Sequence, residues 1–299
     1  MKVRCVIAAF FLGATSVATR APAQTIPTRA VATEYSRDGL AALSHGVRVQ
    51  VTALTDSILR VRIAKGSQLP EDASWAVPAA VRRQSVSISP TADGFQTKAI
   101  AVHLNPGTLG MTVTDLQGRT ILADGPEPIR FDGTGFTLRK ALPTDQRIYG
   151  MGDKTGALDR RGGTFVDWNT DYFGFAPWSD PIYKSIPFFI GVSGDGQAYG
   201  LFLDNSWRSS FDFGHRDSSA IEIGAPNGPA DYYVIAGPSV AEVVRRYTDL
   251  TGKPPMPPQW ALGYQQSRWG YSSDAEVRDI ARHLRSDNIP ADVIWMDID

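Results

Sequence analysis

Cysteine is almost absent from the 299 residues: Cys5 stands alone, so no intrachain disulfide can form. A fold of this size without cross-links must live on its own core, and 42% hydrophobic against 20% charged residues supplies one. No charge sign dominates either, with 30 Lys and Arg facing 31 Asp and Glu. That balance speaks against nucleic acid or another polyanion as a partner and favours a neutral or weakly charged substrate. Histidine is scarce, and His45, His103, His215 and His283 have neither metal-site spacing nor cysteine company, so no metal or cofactor is expected. A G-x-S-x-G elbow and a phosphate-binding P-loop are also missing. GDGQAYG at 194–200 lacks the third glycine of a nucleotide loop at the right place. It joins two strand patterns instead of opening a helix, and reads as a hairpin turn.

Only one apolar run has the look of a targeting segment. Lys2 and Arg4 precede VIAAFFLGATSVA, and Ala21-Pro22-Ala23 offers a small-x-small cleavage site before Gln24. The run is short for a bilayer span and Arg20 closes it. Residues 1–23 are therefore expected to be a signal peptide, and the mature chain to be periplasmic or secreted without stable membrane association. Cleavage would remove Cys5, Lys2, Arg4 and Arg20, leaving 27 basic against 31 acidic residues and a net charge of −4.

What is plentiful is short-range alternation. Val47, Val49 and Val51 alternate with polar neighbours, as do Leu59, Val61 and Ile63, then Val86 and Ile88, then Ile100, Val102 and Leu104, then Met111 and Val113. FFIGV, AYGLFLD, AIEIG and DYYVIAG follow, each bounded by turn residues. Many short strands with one apolar face predict a mainly antiparallel β-sandwich over 24–252. At the end of that region Val240, Val243, Val244 and Tyr247 recur at helical spacing, and Gly252 stops the helix. Four prolines in KPPMPP then form a stiff connector, placed at 253–257.

Beyond it the period changes. WALGYQQ is a strand candidate, and SSDAEVRDIARHLRSDN an amphipathic helix with Ser273 and Glu276 spaced as a capping box. Its inner stripe is Val277, Ile280, Ala281 and Leu284; Asn288-Ile289-Pro290 ends it, and DVIWM is a second strand. A strand–helix–strand unit calls for parallel strands. Parallel sheets need both faces covered, and a (β/α)8 barrel needs roughly 250 residues. Residues 258–299 are therefore expected to be the incomplete start of such a barrel, in a longer chain.

Function in a parallel α/β domain gathers at the carboxyl ends of its strands. QQSRWGYSS follows the first strand, and Asp297 and Asp299 end the second, two residues apart and so on one side. The two acids are either solvated strand-end charges or parts of a site. Trp269 either packs beneath its loop or forms an aromatic wall for a pyranose ring. A third segment, FVDWNTDYFGFAPWSDPIYKSIPFF, brings nine aromatic side chains and Asp167, Asp171 and Asp180 into a stretch that does not alternate. Rings and carboxylates in a long loop are the means by which proteins hold sugars.

Several of these stretches together resemble glycoside hydrolase family 31, the α-glucosidase and α-xylosidase family. The matching motifs are YGMGDKTGALDRRGG, WNTD with YKSIPFFIG, PPQWALGYQQSRWGYSS and DVIWMDID, in the family's order and spanning about residues 147–299. The resemblance implies a galactose-mutarotase-like β-sandwich, a (β/α)8 catalytic barrel and further β-domains. It also implies hydrolysis of terminal α-linked sugars of oligosaccharides with retention, by two carboxylates about 5 Å apart. By motif, Asp297 is implied to bond hydroxyls of the sugar being cleaved, Trp269 to wall that pocket, and Asp171 to be lent by a sandwich loop to its rim. Neither Asp297 nor Asp299 matches the nucleophile's motif, so both catalytic acids are expected beyond residue 299. Two alternatives stand beside this reading: a sugar-binding sandwich without catalysis, and a D-x-D-x-E acid motif beginning at Asp297.

Overall fold

Val49 pairs with Ile63 and Val51 with Val61 across two antiparallel strands, and all four side chains are buried. That alternation, repeated strand after strand, builds the molecule. The computed structural model describes residues 32–297; the expected leader and Asp299 lie outside the described residues. In chain order the first strands are β1 (Ala32–Tyr35), β2 (Gly39–Ser44), β3 (Val47–Thr55), β4 (Ile58–Lys65), β5 (Ser89–Pro90), β6 (Gly94–Gln96), β7 (Ile100–Leu104), β8 (Met111–Asp115) and β9 (Thr120–Asp132). They continue as β10 (Gly135–Ala141), β11 (Arg147–Gly152), β12 (Thr164–Asp167), β13 (Ser185–Val192), β14 (Ala198–Leu203), β15 (Ser209–Phe213), β16 (Ala220–Ala225) and β17 (Ala230–Gly237).

These strands form two sheets. One has eight strands in the order β1-β2-β3-β4-β17-β14-β13-β11, the other nine in the order β12-β15-β16-β10-β9-β8-β7-β6-β5. One core lies between them: Phe189 of the first sheet meets Phe211 and Phe213 of the second edge-on, with centroids 6.4 and 5.1 Å apart. Each such ring is worth about 1.5–3 kcal/mol by burial alone. A buried charge also bridges the sheets. The Lys140 ammonium of β10 contacts the Asp124 carboxylate of β9 and donates to the Tyr232 hydroxyl of β17 at 2.7 Å. GDGQAYG is the expected hairpin, with Val192 opposite Ala198 and the Gly196 amide bonded to the Ser193 carbonyl.

Val86 and Ile88 do not form the expected strand. Their amides bond to the separate carbonyls of Ala53 and Arg37, because this extended segment crosses from one sheet to the other instead of joining a ladder. Helix α1 (Ala79–Arg82) precedes it. Helix α2 (Val240–Thr251), capped by Ser239, packs on the outer face of the eight-stranded sheet. Its inner face differs from the expected stripe: Val243 and Leu250 are buried and Tyr247 stacks on Phe188 at 3.9 Å, while Val240 and Val244 face outward.

After the proline run the chain forms β18 (Gln265–Ser267), α3 (Asp274–Ser286) and β19 (Val293–Trp295), with β18 and β19 parallel. WALGYQQ is a strand only in its last residues, since Gln259–Leu262 close a 3-10 turn. Strand pairing begins where the chain reaches its partner. There the Tyr264 carbonyl accepts the Asp292 amide, and a Cβ on Gly263 would stand 1.8 Å from the Asp292 carboxylate. At its other end α3 closes as Asn288 turns left-handed and the Ile289 amide bonds back to the Leu284 carbonyl. Mainly antiparallel sheets followed by one parallel strand–helix–strand unit are the architecture expected from the sequence.

Candidate sugar-binding site

The register of the two parallel strands fixes the geometry. Ser267 lies opposite Trp295, so Trp269 and Asp297 each come two residues after the carboxyl end of adjacent parallel strands. Both are exposed, Trp269 by 67%. The loop between β18 and α3 is organised around Glu276. Its carboxylate takes the Arg268 guanidinium at 3.0 Å and the Ser272 amide at 2.8 Å, while its own amide donates to the Ser273 hydroxyl at 3.2 Å. The expected capping box therefore closes on Ser272 instead of on Ser273. Arg268 also lies over the Tyr271 ring at 5.8 Å, leaving Trp269 at the open edge of the loop.

The aromatic-rich stretch is a loop between β12 and β13, tied at both ends to one buried cation. Lys154, with no exposed side-chain surface, donates to the Val166 carbonyl at 2.6 Å and to Asp180 at 2.9 Å, and stands 3.1 Å from Asp167. Asp180 also accepts the Val166 amide at 2.6 Å. Burial raises the Asp167 carboxyl to about 6, even though Lys154 opposes the shift. Two of the three acids noted in this stretch therefore hold the loop. Asp171 alone is exposed on it, among rings that also face outward: Phe173 by 87% and Trp178 by 84%. Asn169 accepts the Ser185 amide at 2.8 Å while the Ser185 hydroxyl accepts the Trp168 amide at 2.9 Å, stitching WNTD to YKSIPF. Asp171 belongs to this sandwich loop, whereas Trp269 and Asp297 share the strand ends.

The motif YGMGDKTGALDRRGG serves the frame. Asp159 accepts the amides of Ile148 and Arg161 at 3.1 Å each, and the Arg160 guanidinium is held by the carbonyls of Thr155 and Ala157. Lys154 was not singled out from the sequence, nor was Trp207. A lysine inside a glycine-punctuated turn, and a tryptophan in NSWRSS between two strands, were the available signals. Among the described residues no three His, Cys, Asp or Glu side chains group as a metal site, and no helix is long and apolar enough to cross a membrane.

Comparison with known proteins agrees with this arrangement. Residues 48–212 match the glycosyl hydrolase 31 N-terminal galactose mutarotase-like domain, and residues 254–299 match the glycosyl hydrolases family 31 TIM-barrel domain. Alpha-glucosidase 2 of Bacillus thermoamyloliquefaciens is 43% identical over 188 residues, which are 62% of this chain and 24% of that protein. The lysosomal alpha-glucosidase of Rattus norvegicus is 35% identical over 187 residues, 62% of this chain and 19% of that one. Among solved structures, a GH31 dextranase of Flavobacterium johnsoniae complexed with isomaltotriose superposes with a TM-score of 0.81 at 28% identity, covering 89% of this chain and 33% of its own. The chain thus spans between about a fifth and a third of these relatives' lengths.

Proposed function

This chain belongs to glycoside hydrolase family 31, and from that premise we propose that it is part of an exported, retaining α-glycosidase that removes terminal α-linked glucose or xylose from oligosaccharides. The observation that carries the proposal is that Trp269 and Asp297 each follow the carboxyl end of one of two adjacent parallel strands, the edge at which barrel enzymes assemble their sites. An indole offers an apolar face to the C–H side of a pyranose. A carboxylate beside it accepts from ring hydroxyls, and such bonds strengthen as the oxocarbenium-like transition state develops. In this reading Asp297 grips the sugar and Asp171 reaches the rim from the sandwich loop. The nucleophile and the general acid come from elsewhere in the protein.

The test is an assay of the complete protein against aryl α-glucoside, α-xyloside and β-glucoside, with the product anomer followed by NMR. The expected result is cleavage of an α-glycoside with the α-anomer appearing first. Preference for the β-glucoside, or first release of the β-anomer, would overturn it. Localisation is tested by fractionation, which should place the protein outside the cytoplasm.

A further inference from the structure

The outer face of the nine-stranded sheet carries a groove of about 460 Å³ that crosses five strands. Its floor is one continuous row. Val166 of β12 lies opposite Ser210 of β15, and Ser210 opposite Gly224 of β16; Gly224 lies opposite Thr137 of β10, and Thr137 opposite Arg130 of β9. Their chain neighbours Phe165, Phe211, Ile223, Phe136 and Phe131 point the other way, into the core between the sheets. Four strand spacings make the row about 19 Å long, which suits a short chain of linked units better than one small molecule.

The floor offers polar groups within reach of a ligand. Arg130, Ser210 and Thr164 are exposed, and Thr137 and Glu222 are partly so. Among the described residues the hydroxyls of Thr137, Thr164 and Ser210 bond no protein group, and Arg130 makes no ion pair. Gly224 keeps the middle of the floor low: a Cβ there would stand 3.3 Å from the Ser210 hydroxyl and 3.7 Å from that of Thr137. Beside this row, Glu222 accepts Arg139 at 2.8 Å through one oxygen and meets Arg216 only at 3.5 Å through the other. At the β12 end the Trp178 ring contributes an exposed aromatic wall. Two guanidinium and three carboxyl groups line the groove, a balance that disfavours an anion. Free hydroxyls, an unpaired guanidinium, a carboxylate acceptor and an indole together suit a neutral ligand rich in hydroxyls with one apolar face.

We propose that this groove holds an oligosaccharide chain along the outer face of the sheet, with Arg130, Thr137, Ser210 and Glu222 bonding its hydroxyls and Trp178 covering one ring. The choice of α-linked glucose oligosaccharides as ligands rests on the proposed function. The floor belongs to the sandwich sheet and includes neither Asp171 nor the strand-end residues Trp269 and Asp297, so the groove can be read separately from the pocket and its rim.

The complete protein labelled with 5-fluorotryptophan, its Trp178 and Trp269 signals assigned with Trp178→Phe and Trp269→Phe, is followed by fluorine NMR. It is titrated with thio-linked maltotriose and isomaltotriose, which a glycosidase does not cleave. The Trp178 signal should move saturably with at least one of them. Arg130→Ala should weaken that response on the order of tenfold, as loss of a charge-assisted hydrogen bond does, and adding Thr137→Val should weaken it further. The sugar-free spectrum should stay in place, because both changes lie on the sheet surface. A Trp178 signal that ignores both sugars, as it would if another part of the protein filled the groove, overturns the proposal. So does a Trp178 response whose affinity survives the double substitution, since it would then report the rim. A Trp178 response with a silent Trp269 retains the groove and removes the pocket reading; a response of Trp269 alone does the reverse.

Discussion

Replacing Lys154 with methionine removes the cation from beneath the aromatic loop and leaves Asp167 and Asp180 facing each other without compensation. Breaking a buried pair by deleting one partner ordinarily costs about 3–5 kcal/mol. Part of that is relieved here, because Asp167 already sits at about 6 and neutralising it at pH 7 requires only about 1.4 kcal/mol. The lost hydrogen bonds to the Val166 carbonyl and Asp180 remain, so the net loss should be about 3 kcal/mol. The pH dependence has a definite sign. Between about pH 4 and 6 folded Asp167 keeps a proton that the unfolded chain has released, so its contribution to stability falls as pH rises through that window. Without Lys154 the folded value climbs higher and the window extends upward. The deficit of Lys154→Met should therefore grow from pH 5.5 to pH 8. Chemical denaturation at the two pH values, with hydrogen exchange of residues 164–185 in the complete protein, measures it. A deficit equal at both pH values, or wild-type protection of the loop, would refute the reasoning.

Two further substitutions probe the sandwich. Lys140→Met should destabilise by about 3–5 kcal/mol in urea denaturation because it strands Asp124 in the core. Adding Asp124→Asn, which can still accept the Met111 amide, should restore most of that loss. Asp204 accepts the Ser74 hydroxyl at 2.8 Å, and burial, with a smaller push from Asp231, raises it to about 6. Asp204→Asn should therefore match wild type near pH 4 and be more stable by about 1–3 kcal/mol at pH 8, as thermal unfolding across that range would show.

The sandwich was legible where strands bury one face, as β3 and β10 do, because a period of two cannot be satisfied by any other element; β14 and β17 are buried on both faces, since α2 covers their outer side. Legibility failed where an extended segment had no partner strand, as at Val86 and Ile88, whose alternation serves the core without a ladder. At WALGYQQ the apolar residues suggested a strand, but pairing depends on where the chain meets Val293, which local sequence does not contain. Trp269 and Asp297 follow the ends of β18 and β19, and the sugar-binding roles that their motifs imply belong to the proposed function. The roles of Asp167 and Asp180 were not legible. Their partner Lys154 is 13 and 26 residues away, and a carboxylate looks the same in a sequence whether it faces solvent or a buried ammonium.

The most direct measurement is kcat/KM of Asp297→Asn in the complete protein on an aryl α-glycoside. Asp297 is exposed beyond the end of β19, so the fold should be unchanged by circular dichroism. If Asp297 bonds the hydroxyls of the sugar being cleaved, several kcal/mol of transition-state binding are lost and the rate should fall on the order of a hundredfold or more. A variant that turns over at near wild-type rate would contradict the account.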